Sequence, residues 1–263
     1  MSKKKSNATR RAEQLTTAQQ AATIRKEQER QEKRRRTYMV SGAVAVVLVL
    51  LLGLGYAVQS SRDTTGQIAS PPVGVLDEYA VPRGDAGAPV TVTIYEDFMC
   101  PFCGDLEVAS RDLLKQYVDD EVVLVEYRIL SFLDGASGGS DYSTRAMNAL
   151  GVVLDTSGQD AAIRFHDLLF EQQPEEGTEG LSDDDLIDLA VEAGAEEADV
   201  AGPIQDRAFE QWVENATDAA SQDEVNQTPT VLVDGEVLEF ETIDELVGQL
   251  RAAIDSAAES AES

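Results

Sequence analysis

The chain has 263 residues, is 43% hydrophobic and carries a formal charge of -28 with only two cysteines. That apolar content excludes a wholly disordered chain, and two cysteines in so long a sequence exclude a disulfide-stapled scaffold. The charge is split: residues 1–38 hold twelve of the 21 basic residues and come to about +8, while the rest comes to about -36, which predicts two parts in different surroundings.

In chain order, the basic tail at 1–38 has almost no large apolar residue and cannot bury a core. Its Lys and Arg run reads as a topology signal with attraction to anionic membrane lipids, not as a nucleic-acid site. From Thr37 to Ser61 there is no charged residue, and the centre, MVSGAVAVVLVLLLGLGYAV at 39–58, is almost wholly apolar. At about 1.5 Å per residue this run matches the hydrocarbon thickness of a bilayer. Lys33, Arg34, Arg35 and Arg36 precede it and only Arg62 closely follows, so the N-terminus is expected in the cytoplasm and the acidic part outside. The alternatives are a buried core helix and a cleaved signal peptide. YAVQSS is a poor small-x-small cleavage site, and the reading adopted is an uncleaved single-pass signal anchor in the cell membrane. A polar linker at 59–74 follows.

The folded domain is expected over 75–257. PVTVTIYEDF at 89–98 is β-branched and aromatic and predicts a strand; Leu106, Val108, Leu113, Leu114 and Val118 then recur at helical spacing. EVVLVEYRIL at 121–130 predicts a second strand, apolar enough to be central, and GASGGS a loop. Residues 142–225 predict a helical block, with helices near 146–154, 161–170, 183–193 and 203–219, and Ser182 with Asp185 as a capping pair at the third. TVLV and EVLEF flank Asp234-Gly235, a two-residue hairpin signal. A last amphipathic helix at about 243–257 precedes an acidic tail at 258–263. The order describes a small mixed α/β sheet with a helical insertion.

Cys100 and Cys103 sit in FMCPFCG, where a strand gives way to a helix. Cys100 thereby falls at the helix N-terminus, where free N–H groups and the helix dipole stabilise a thiolate, and Pro101 suits a first turn that needs no N–H. Cys100 is the candidate attacking thiol and Cys103, a turn further in, the resolving one. Downstream, Thr228-Pro229 stands directly before a strand, a corner that suits a cis bond. In that form it would offer the Thr228 backbone to an extended substrate peptide; the alternative is an ordinary loop proline.

APVTVTIYEDFMCPFC, the helical block and TPTVLVDG together resemble the DsbA-like branch of the thioredoxin superfamily over roughly Val75 to Ala257. The resemblance implies an α/β thioredoxin fold with an inserted helical domain, here preceded by a single transmembrane helix. It also implies Cys100 as nucleophile, Cys103 as resolving cysteine, and Pro229, with Thr228, as the cis proline corner flanking the active site. Two positions depart from the pattern. Six residues before the first cysteine, where such proteins carry an acidic side chain that assists proton transfer, this chain has Ile94. Glu96 and Asp97 are the candidates to take that role, with solvated strand-end charges as the alternative. Between the cysteines stands Phe102, which cannot hydrogen-bond a thiolate.

Among competing chemistries, a structural zinc centre needs four ligands, and the chain offers two cysteines and one histidine. His166, in AIRFHDLLF, reads most simply as a helix-face residue, and Trp212 as insertion core. No metal and no bound cofactor are expected. The resulting expectation is an extracytoplasmic thiol–disulfide oxidoreductase. It would be a dithiol oxidase acting on exported proteins with free cysteines, re-oxidised by a quinone-linked membrane partner of the DsbB or vitamin K epoxide reductase-like type. A disulfide isomerase or reductase is the first alternative. A non-catalytic membrane-anchored binding module with a structural disulfide is the second.

Overall fold

The computed structural model of the chain describes residues 69–261. The basic tail, the expected membrane span at 39–58 and the linker up to residue 68 lie outside the described residues. Among the described residues no helix is long and apolar enough to cross a membrane.

Five strands form one sheet: β1 (Val81–Arg83), β2 (Val90–Glu96), β3 (Val123–Ile129), β4 (Thr230–Val233) and β5 (Glu236–Val237), in the order β1-β3-β2-β4-β5. Only β2 and β3 run parallel, with Val92 opposite Val125 and Glu96 opposite Ile129. Their crossover is helix α1 (Pro101–Asp119), as a parallel connection requires. The period-2 pattern of β2 is visible in its burial: Val90, Val92, Ile94 and Glu96 are buried while Thr91, Thr93 and Tyr95 are half-buried. Three of those four buried residues are apolar; Glu96 is a carboxylate on the core face.

The insertion is built on helix α2 (Tyr142–Glu171), against which α3 (Asp183–Glu192), α4 (Glu197–Gln205) and α5 (Glu210–Gln222) pack. The closing helix α6 (Ile243–Ala261) lies along α1 and over β2 and β4. Its Leu246, Leu250 and Ile254, at helical spacing, are fully buried, each contributing about 1.5–3 kcal/mol of hydrophobic stabilisation. Trp212 is buried in the insertion and its Nε1–H donates to the Glu78 carbonyl at 2.7 Å.

Local signals set the joints. Ser182 and Asp185 form a reciprocal capping box on α3. Asp234 and Gly235 both take positive φ, 48° and 83°, the conformation a two-residue hairpin turn demands. The Asp234 carboxylate also accepts the Thr91 N–H at 2.9 Å and pins the turn to β2.

Several boundaries differ from expectation. The helices expected near 146–154 and 161–170 are the two halves of α2, separated by a single non-helical residue, Gly158, at φ 81° and ψ -177°. The helix expected at 203–219 is two: Pro203 lies inside α4, and α5 starts only after a break at 206–209. EVLEF yields a strand of just two residues, Glu236 and Val237, at the edge of the sheet beside β4. The tail expected from 258 continues α6 through Ala261, and strand β1 had no sequence signal.

Candidate active site

Cys100 is the N-cap of α1, with extended backbone (φ -75°, ψ 116°) and Pro101 following as the first helical residue. The free amides of the first turn therefore face its sulfur. Cys103, one turn in, is fully buried, whereas Cys100 keeps 5% of its surface exposed. Both are free thiols. The Thr228-Pro229 bond is cis, and the Cys100 Sγ–H donates to the Thr228 carbonyl oxygen at 3.4 Å. Residues 128 positions apart in sequence thus meet at one spot. Phe102 is 62% exposed beside them and offers an apolar, non-hydrogen-bonding surface.

The two sulfurs have opposite electrostatics. The Cys103 thiol donates to the Cys100 sulfur, and this outweighs the effect of burial; the Thr228 side chain and the N–H groups of Cys103 and Phe102 add to it. The Cys100 thiol is lowered to about 6, well under the ordinary range near 8.5. Burial, with the Cys100 contact and the charge of Glu96, pushes Cys103 far up. The result is one thiolate and one thiol at neutral pH, the arrangement that nucleophilic exchange needs.

Glu96 and Asp97 both lie beneath this turn and have separate environments. The Asp97 carboxylate accepts from the Met99 N–H (2.8 Å), the Leu133 N–H (2.9 Å) and the Ser143 hydroxyl (2.7 Å). It staples the loop before α1 to the loop after β3 and to α2; burial nevertheless pushes it up to about 6. Its backbone N–H points to the Cys103 sulfur. Glu96, fully buried, meets His166 instead, with Oε1 2.6 Å from Nε2. Burial raises the Glu96 carboxyl and His166 pulls it partly back.

Two residues of the site had no assigned role in the sequence reading. His166, read as a helix-face residue, lies on the buried face of α2: it is 0% exposed, packed among Phe98, Tyr127 and Phe170. Its neighbours on the same stripe of α2, Ala162, Phe165, Leu169 and Phe170, are all apolar, a spacing that could have placed it inside. Gln173, just past α2, donates from Nε2 to the carbonyls of Cys100 (2.9 Å) and Phe98 (3.2 Å). No local pattern marks it.

Among the described residues, one group has metal-ligand chemistry: Glu107, His166 and Asp167, with ligand atoms within 4.8 Å of one another. Protein cations already meet these carboxylates. Arg111 Nε lies 2.7 Å from Glu107, and Arg83 lies 3.6 Å from Asp167.

A thioredoxin family model matches residues 77–255. The chain belongs to that family. Among solved structures it is similar to reduced DsbA of Mycobacterium tuberculosis, at 32% identity and a TM-score of 0.56 over 69% of this chain and 98% of that one. It is also similar to the reduced disulfide bond oxidoreductase DsbG of the same organism (33%, TM-score 0.57, 70% and 94%). BdbD of Bacillus subtilis, at 22% identity, TM-score 0.60 and 73% and 98% coverage, shares the fold. Curated relatives include the serine/threonine-protein kinase PknE of M. tuberculosis, 30% identical over 156 residues, which make up 55% of this chain and 28% of the kinase. Another is the Na(+)/H(+) antiporter NhaA 3 of Salinispora tropica, 33% identical over 153 residues, 58% of this chain and 21% of the antiporter. The chain thus spans about a quarter of the length of the curated relatives it matches. Family, fold and the paired thiols make this domain a thiol–disulfide oxidoreductase of the DsbA-like type.

Proposed function

We propose that the chain is a membrane-anchored dithiol oxidase that introduces disulfides into exported proteins. The observation that carries this reading is the asymmetry of the pair. A Cys100 thiolate held down to about 6 by the Cys103 thiol, the Thr228 side chain and the N–H groups of the first helical turn stabilises the reduced form, and a stabilised dithiol makes the disulfide a stronger oxidant. A substrate thiolate attacks the Cys100 sulfur of the disulfide form, and the electron pair of the broken bond leaves on Cys103, which takes up a proton. A second substrate thiolate then displaces Cys100, so the substrate is oxidised and the Cys pair reduced. Thr228 and Pro229 hold the extended substrate segment, Pro101 and Phe102 shape the surface it meets, and Glu96 trades the proton of Cys103. Asp97, occupied by three donors, keeps the turn in place.

The anchor at 39–58 and the basic residues before it support a single-pass membrane protein with its catalytic domain outside the cytoplasm. Re-oxidation passes both electrons to a quinone-linked membrane partner of the DsbB or vitamin K epoxide reductase-like type. The test is the redox state of Cys100 and Cys103 in growing cells, trapped with acid and a thiol label. A mostly oxidised pair supports the oxidase; a mostly reduced pair overturns it in favour of an isomerase or reductase.

The relatives PknE and NhaA 3, named for other activities, favour one second reading, a module without exchange activity of its own. An isolated domain that leaves reduced model substrates unoxidised would support it.

A further inference from the structure

The chain has one histidine, and it is fully buried against Glu96. Resting on the exchange reading above, we propose that His166 is a positioning residue of the reaction: from the insertion helix it orients the Glu96 carboxylate and holds it charged as the group that trades a proton with Cys103.

Cys103 is fully buried, so its proton must go to an interior acceptor each time its sulfur bonds to Cys100. Asp97 gives the sulfur its N–H, and its carboxylate is taken up by three donors. Glu96, the preceding residue, is on the core face of β2 and acts electrostatically on Cys103. A lone carboxylate there would be neutralised by its surroundings, since burial without a partner disfavours the charged form. His166 supplies the partner at 2.6 Å.

The imidazole is itself charged by what surrounds it. Glu96 faces it from β2, Glu107 from α1, Tyr127 from β3 and Asp167 from its own helix, and Arg83 of β1 and Arg111 of α1 reach Asp167. Burial opposes the imidazolium, but Glu96, Asp167 and Glu107 together raise it to about 10. Both ring nitrogens then donate, Nε2 to Glu96 and Nδ1 to Asp167 at 3.3 Å. Arg83 and Arg111 reach the same Asp167 Oδ1 at 3.6 and 3.9 Å. The ring is also held by Phe98, Tyr127 and Phe170, with centroids 5.7, 4.2 and 5.2 Å away.

During re-oxidation, Cys103 attacks the Cys100 sulfur of a mixed disulfide and its S–H proton passes to Glu96. The Cys100–Cys103 bond forms and the partner's sulfur leaves with the electron pair as a thiolate. When a substrate thiolate opens the disulfide, Glu96 returns the proton to Cys103 as that sulfur departs. His166 keeps its own protons throughout.

The test is His166→Gln in the full chain, which keeps a hydrogen-bonding side chain but no charge. Without the imidazolium, Glu96 is protonated up to higher pH. Resolution of a preformed Cys100 mixed disulfide with a small thiol should slow about 10-fold at pH 7 and recover toward alkaline pH, the half-point of the profile rising by about two pH units from about 6. An unchanged pH profile overturns the proposal. A Cys100 that is unreactive in the unsubstituted protein would instead remove the exchange reading on which it rests. A measurement free of any substitution accompanies it: the single imidazole gives one set of ring NMR signals. They should be those of an imidazolium at pH 7 and shift between the dithiol and disulfide forms. A neutral ring, or one indifferent to the redox state, overturns the proposal.

Discussion

Cys100 and Cys103 are chemically identical and differ only in what surrounds each sulfur. Cys100 receives a thiol proton and first-turn amides, whereas Cys103 is closed off beside a carboxylate. Iodoacetamide should therefore alkylate Cys100 of the reduced protein with half-maximal rate near pH 6, since only the thiolate reacts; a midpoint near 8.5 would contradict the site as described. Cys103 should stay unlabelled until the protein is denatured. The Gln173 amide contributes to this geometry from outside the motif. A Cβ on Gly104 would collide with that amide, so Gly104→Ala should displace it and free the carbonyls of Cys100 and Phe98. Gly104→Ala alone is expected to destabilise by about 1–2 kcal/mol through the lost hydrogen bonds. In a Gln173→Ala background the same change should be neutral or stabilising, because alanine is the better helix former. A double-mutant denaturation cycle reads the difference, and additive effects would show that the two residues do not interact. The cysteines and Thr228-Pro229 were legible because each is a short contiguous motif. Gln173 was not: its contact with Cys100 spans 73 positions and leaves no periodic trace. His166 was half legible, from the apolar company it keeps on α2.

At the scale of elements, the strand–helix–strand start and the Asp234-Gly235 hairpin follow from local pattern, as does the α3 capping box. Strand β1 does not. Its three residues include Pro82, too short for a period-2 signal, and it exists because β3 offers an open edge. The same edge placement brings Arg83 to Asp167. Helix α2 shows a different limit. The sequence put helices on either side of residues 155–160, whereas the chain interrupts its helix at one position only. Gly158 sits at φ 81° and ψ -177°, a region open almost solely to glycine. Nothing lies within 4 Å of the Cβ that an alanine would add there. Gly158→Ala should therefore cost about 1–3 kcal/mol through backbone conformation alone, read as a lower denaturant midpoint with the alkylation profile of Cys100 unchanged. A neutral or stabilising effect would mean that α2 can run straight through this point.

For the molecule as a whole, charge is the largest unbalanced quantity. Residues 69–261 carry 43 acidic side chains against eight basic ones. Those few cations are committed to specific tasks: Arg83 and Arg111 brace Asp167, Arg145 ties α2 to Asp183, and Arg128 meets Asp77 and Glu126. Two effects of salt therefore compete. Screening weakens exposed ion pairs such as Lys115–Asp119, each worth about 0–1 kcal/mol. It also relieves repulsion among the surplus carboxylates, which are far more numerous than the pairs. The Debye length falls from about 30 Å at 0.01 M to about 8 Å at 0.15 M, below the distance between carboxylates on opposite sides of the domain but not below that between close pairs. Repulsion therefore loses more than attraction, and the domain should gain stability as sodium chloride rises from 0.01 to 0.15 M. Thermal melting of the disulfide form is the suitable measurement, because it removes the extra charge of the Cys100 thiolate. The melting temperature should climb by several degrees. A flat or falling curve would show that the ion pairs, not the surplus, govern the electrostatics of this surface.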